Sequence, residues 1–190
     1  MPSPVSHRNH AAPHVQVVTW IGTYWSVTPG ISSGDNGTLR LDLANEPQPD
    51  AYLLVLPEHG GQARLDDDGY VQGAPELVAE VAASSASYDL HQKLNAYRRN
   101  GVREYVVWRV YDAAIDWFVL RGGGYERLPP GPDGVCRSEV FPGLWLDPAA
   151  LVRGDLGSVL RVLQQGTATP EHAAFVERLQ QAAAKSEPGA

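Results

Sequence analysis

Cysteine is nearly absent from this 190-residue chain: Cys136 stands alone. No internal disulfide and no thiolate metal cluster can form, and a cytoplasmic protein without thiol chemistry is expected. Lysine is almost as scarce, since 13 of the 15 basic residues are arginine and only Lys93 and Lys185 are lysine. Long apolar runs are missing too. Tyr52-Leu53-Leu54-Val55-Leu56 falls far short of the roughly 20 residues of a membrane helix, so no membrane partner is expected. The N-terminus has Arg8 but no apolar stretch behind it, which argues against a secretory signal. Positive charge is the minority sign, at 15 basic against 22 acidic residues and a net charge of -7. Such a chain is repelled by nucleic acid at long range, so any contact with nucleic acid requires a local basic patch.

What is present, 43% hydrophobic and 19% charged residues, suits one globular domain with a small appendage. Residues 1–12 lack periodicity and predict a flexible N-terminus, with order beginning near Pro13. Val18, Ile21 and Trp25, flanked by Val17 and Tyr24, recur at helical spacing, which predicts a helix over about Pro13 to Ser26. Leu39, Leu41 and Leu43 alternate with polar residues and predict a half-buried strand. Ala51 to Leu56 and Leu77 to Ala82 are short continuous apolar runs, the pattern of strands buried on both faces. Asp66-Asp67-Asp68-Gly69 lacks the ligand alternation of a calcium loop and reads as a solvated turn.

Ser84, Ser85 and Ser87 can cap a helix that carries Leu90, Leu94 and Tyr97 on one stripe and stops at Asn100-Gly101. Tyr105 to Val110, Ile115 to Leu120 and a strand around Tyr125 predict a β-meander. Leu156 to Leu163 and His172 to Ala184 predict a helical appendage over 153–190, leaving 13–152 as the main domain. The order of helix, strands, helix, strands and helices is that of an α/β fold, a mixed β-sheet flanked by helices.

Carboxylates inside apolar strands carry the chemical signal, because Asp and Glu are almost never buried unless paired or bound to a cation. Asp50 opens the first buried run and Glu80 interrupts the second. If the two strands pair, their oxygens converge, and two hard ligands with water and a backbone carbonyl suit magnesium. A Glu hydrogen-bonded to a neighbouring helix, beside an Asp that merely starts a strand, would leave the same pattern. Asp89, Lys93 and Tyr97 fall at four-residue steps on one helix face. They could form a surface ion pair with an aromatic neighbour, or present an ammonium to a phosphate, where a planar guanidinium does not substitute freely.

The stretches Gln48-Pro-Asp-Ala-Tyr-Leu-Leu-Val, Gly73-Ala-Pro-Glu-Leu-Val-Ala-Glu-Val-Ala-Ala-Ser-Ser, Tyr88-Asp-Leu-His-Gln-Lys-Leu-Asn-Ala-Tyr, Gly101-Val-Arg-Glu-Tyr-Val-Val-Trp and Phe141-Pro-Gly-Leu-Trp-Leu together resemble the Uma-two family of restriction endonucleases, within the PD-(D/E)XK nuclease superfamily. The resemblance runs from about His10 to Leu151. It implies a restriction-endonuclease-like fold and DNA phosphodiester hydrolysis with Mg2+ or Mn2+ held by Asp50, Glu80 and the Val81 carbonyl. Ala82 stands where the superfamily lysine is usual, and the resemblance implies Lys93 as its replacement, with Asp89 and Tyr97 beside the substrate. Family members carry an extra segment before the region matching Ser6 to Tyr24, and a site completed by it would be incomplete here.

Endonucleases of this type commonly act as dimers, so a homo-dimer is expected, with the Trp-bearing strands as its apolar interface. A catalytically idle protein that binds nucleic acid or another protein is the alternative on the same fold. His7, His10 and His14 have helical metal spacing but lie in the Pro-rich terminus and are expected to face solvent. Ser84 and Ser85 lack a nucleophile elbow, and Gly122-Gly123-Gly124 suits a hairpin better than a phosphate loop.

Overall fold

A computed structural model describes residues 6–43, 45–83 and 89–186, with only the backbone of residues 89 and 90. Ser6 caps a π-helical turn, His7–Ala11, by accepting from the Asn9 N–H. Helical order thus begins ahead of Pro13. The turn runs into α1 (Ala12–Ser26), with Pro13 in its first turn. The buried stripe of α1 is Val17, Trp20, Ile21 and Tyr24, whereas Trp25 is 46% exposed. The expected stripe through Val18, Ile21 and Trp25 is therefore rotated. The rotation places Trp20 and Tyr24 where their polar tips find acceptors, the carbonyls of Trp145 and Pro142, each at 2.9 Å, as a buried indole and phenol require.

The strands are β1 (Ile31–Gly34), β2 (Leu39–Arg40), β3 (Ala51–Val55), β4 (Arg64–Leu65), β5 (Val71–Gln72), β6 (Leu77–Ala82), β7 (Glu104–Arg109), β8 (Ala114–Arg121), β9 (Gly124–Arg127), β10 (Cys136–Arg137) and β11 (Trp145–Leu146). The main sheet has the order β1-β3-β6-β7-β8-β9. Every pairing in it is antiparallel except β6 with β7. A parallel pair needs a crossover, and the helical segment supplying it is a π-helical turn, Asp89–Lys93, followed by α2 (Leu94–Asn100). Gly101 ends α2 at φ +84°, a left-handed cap that an L side chain rarely adopts. The serines expected to cap this segment lie outside the described residues.

The expected strand through Leu39, Leu41 and Leu43 is shorter than the alternation suggests. Leu39 is buried, but Leu43 is fully exposed, because β2 pairs with β5 over two residues and the chain then turns, the Asn45 amide gripping both Asp42 oxygens at 2.7 and 2.8 Å. The acidic stretch beyond β4 forms a turn in which Asp66 accepts from the Asp68 and Tyr70 N–H groups.

Core residues lie on both faces of the sheet. On one, α1 packs with α3 (Pro148–Val152), α4 (Leu156–Thr167) and α5 (Pro170–Ser186). Val159, Leu163, Phe175 and Leu179 join the same core as α1, so the C-terminal helices, expected as a small appendage packed on one side, share the core of the main domain. Trp108 and Trp117 are buried in this core, Trp117 edge-on to Trp20. The tryptophans of the meander therefore serve the core, and an interface on these strands would have to use other side chains. On the other face, Tyr97 of α2 packs on Val78, Tyr105 and Val107. Among the described residues no helix is long and apolar enough to cross a membrane.

Candidate active site

The antiparallel register of β3 with β6 pairs Ala51 with Ala79 and Leu53 with Leu77. Continued by one step, it sets Asp50 opposite Glu80. Side chains alternate between faces, so both carboxylates lie on the side where Tyr52 and Val78 pack, beneath the α2 segment. Glu104 and Val110 donate their N–H groups to the Glu76 and Ala82 carbonyls. The even-numbered residues of β6 thus turn their backbone groups to β7, and the odd-numbered ones turn theirs to the β3 side. Past the end of β3, the Val81 N–H meets Asp50 Oδ2 at 2.7 Å instead of a strand, and the Val81 carbonyl leaves β6 on that same edge.

Glu80 is 4% exposed. Its Oε2 lies 2.9 Å from Lys93 Nζ, and its Oε1 accepts from the Tyr97 hydroxyl at 2.8 Å. Burial pushes the Glu80 carboxyl up to about 7; the Lys93 ammonium and the Tyr97 hydroxyl pull against that shift, while the Asp50 charge adds to it.

The sequence reading missed part of this cluster. His10 Nε2 stands 3.5 Å from Asp50 Oδ1. His14 Nε2 lies 3.1 Å from the Asp50 carbonyl oxygen and 3.0 Å from Asp35 Oδ1, and the two imidazoles stack 5.6 Å apart. These histidines were expected in solvent but sit against the site instead, because the π-helical turn and the first turn of α1 fold across the start of β3. Their spacing of four residues was the available signal. Asp35, in a turn-rich loop, gave none.

Tyr97, expected beside the substrate, is fully buried and touches Glu80 from inside the core. Its hydroxyl is spent on one Glu80 oxygen. The Asp89 side chain lies outside the described residues, as does that of Leu90.

Among the described residues no three His, Cys, Asp or Glu side chains are grouped to hold a metal ion. The oxygens that the described residues bring together are those of two carboxylates, with a backbone carbonyl beside them. Such a sparse oxygen set suits magnesium, which keeps several waters and leans on one or two carboxylates plus substrate phosphate. The residues therefore fit a hard divalent cation.

A crystal structure of a "putative nuclease belonging to DUF820" from Anabaena variabilis ATCC 29413 superposes with a TM-score of 0.56 at 12% identity, covering 80% of this chain and 84% of that one. At that identity the likeness is one of fold. The model of the Uma2 family, described as "putative restriction endonuclease", matches residues 1–149, and the chain belongs to that family. No curated protein matches it.

Proposed function

We propose that the protein hydrolyses DNA phosphodiester bonds as a divalent-metal-dependent endonuclease. The observation that carries this reading is the meeting of Asp50, Glu80 and Lys93 at the open edge of β6, where the Val81 N–H is satisfied by a carboxylate instead of a neighbouring strand. Asp50, Glu80 and the Val81 carbonyl would hold Mg2+ or Mn2+. Bound there, the cation supplies Lewis-acid stabilisation of a phosphoryl oxygen and makes water a stronger nucleophile. Lys93 brings a point charge with three donors, able to hold Glu80 and to steady a phosphate oxygen or the attacking water. Tyr97 fixes one Glu80 oxygen. His10 and His14 fix Asp50 by its carboxylate and its carbonyl.

DNA is the proposed substrate, and a two-fold pair of chains is the proposed arrangement for cutting both strands. Manganese calorimetry on Asp50→Asn and Glu80→Gln, beside cleavage of plasmid DNA, tests the reading. Each variant should fold and lose metal binding, with cleavage falling on the order of a thousandfold. Parent-like manganese affinity in both variants would remove the assignment. A parent that binds metal but never cuts would favour the idle binding module.

A further inference from the structure

We propose that the outer face of the α2 segment is a track for the nucleic-acid phosphate backbone, seated on Arg99 and Asn95. This rests on the nuclease reading above and names the surface by which that site would receive its substrate. The chain as a whole is acidic, yet residues 90–103 contain no Asp or Glu while carrying His91, Lys93, Arg98, Arg99 and Arg103.

Five arginines elsewhere are paired with carboxylates: Arg40 with Asp66, Arg109 and Arg127 with Asp116, Arg121 with Glu126 and Arg137 with Asp133. Arg98 donates instead to the Gly123 carbonyl, a neutral acceptor, while Arg103 donates to the Gln62 side-chain oxygen and feels the Glu76 charge. Arg99 is exposed and has no hydrogen-bond or ion-pair partner among the described residues. The positive charge therefore stays available on this face.

There is room for a ligand. A groove of about 550 Å³ is lined by Asn45, His91, Gln92, Asn95, Arg98 and Arg99. Asn95 and Arg99 stand one helical turn apart, with Gln92 and His91 continuing the row over roughly 10 Å, long enough for about two backbone phosphates. Amide and guanidinium donors in a row recognise phosphate oxygens and read no base. Asp42, beside the groove residue Asn45, is covered by the Asn45 and Asn100 amides. Lys93 and Tyr97 of the same segment turn the other way, to Glu80. One helical segment would thus hold the strand on its outer face and the reacting groups on its inner face.

The test is binding of a fluorescent 20-base-pair duplex by the full chain, with chelator present so that no strand is cut, from about 50 to 200 mM salt. Arg99→Glu should weaken binding about tenfold, and Arg99→Gln about threefold with a log–log salt slope shallower by about one. Asn95→Asp should weaken it without unfolding the chain. Arg178→Gln, on α5 at the far face, is the control and should bind as the parent does. Arg99 variants that bind like a parent which does bind duplex would overturn the track and leave the nuclease reading standing. A parent that neither binds nor cuts DNA with metal restored would overturn both.

Discussion

Both ends of β6 bury carboxylates, and the two ends are built differently. At its start, Glu76 accepts from the Val55 and Gln62 N–H groups, and Glu104 accepts from the Ser138 hydroxyl and the Glu139 and Val140 N–H groups. At its other end, Glu80 is held by Lys93 and Tyr97, and Asp50 by one backbone N–H with His10 alongside. Burial raises Glu104 and Glu80 alike, each to about 7. Burial therefore does not tell them apart; their partners do. Backbone N–H groups are locked into the fold and cannot be exchanged for a ligand, whereas a lysine on a flexible stem can. The Glu76 and Glu104 end anchors the chain, and the Asp50 and Glu80 end is the one to which the proposed chemistry is assigned.

Breaking the anchoring end should have the largest effect on stability. Glu104→Ala leaves buried donors without an acceptor and is expected to cost about 3 kcal/mol, read as a lower midpoint in urea, while manganese affinity stays that of the parent. An equal loss of metal binding would show that the two ends are not separate. At the other end, Lys93→Ala should lower cleavage about a hundredfold, or about 2.7 kcal/mol of transition-state stabilisation, with little change in manganese affinity. Lys93→Arg should rescue it poorly, since the guanidinium is planar and broader.

The anchoring end should also appear in the pH dependence of stability. Glu104 binds its proton more tightly folded than unfolded, so its contribution is fully present below the ordinary 4.5 and is lost as pH rises to about 7. Stability is expected to fall by roughly 3 kcal/mol across that window on account of Glu104, and Glu104→Gln should make the profile shallower, with Glu80, raised to about the same value, keeping the rest. A melting profile that keeps the parent's slope in Glu104→Gln would assign the pH dependence elsewhere. The smallest change is expected from Tyr97→Phe, which removes one hydrogen bond to Glu80 worth about 1 kcal/mol. Cleavage and manganese affinity should both weaken by roughly fivefold, a joint loss that a purely packing role would not produce.

Glu76, Glu104 and Asp116 show where the sequence signal was too permissive. Asp116 interrupts an apolar strand as Glu80 does and is as deeply buried, yet it is paired with Arg109 and Arg127. A carboxylate in an apolar run states that a partner exists without naming the partner. The pattern picked out Asp50 and Glu80, and the family resemblance is what gave that pair a role.

The continuous apolar runs Ala51 to Leu56 and Leu77 to Ala82 sufficed to place two buried strands, because only a central strand covered on both faces tolerates such a run. The scarcity of lysine likewise marked Lys93 before any geometry was known. Tertiary structure alone decided that α1 turns Trp20 inward and Trp25 outward, and that Lys93 and Tyr97 converge on Glu80. It also decided that His10 and His14 reach Asp50, which lies 36 residues beyond His14 in the chain. Periodicity is a local property, read over one or two turns. Which of two adjacent apolar faces is buried, and what a histidine meets across the fold, depend on how distant segments pack.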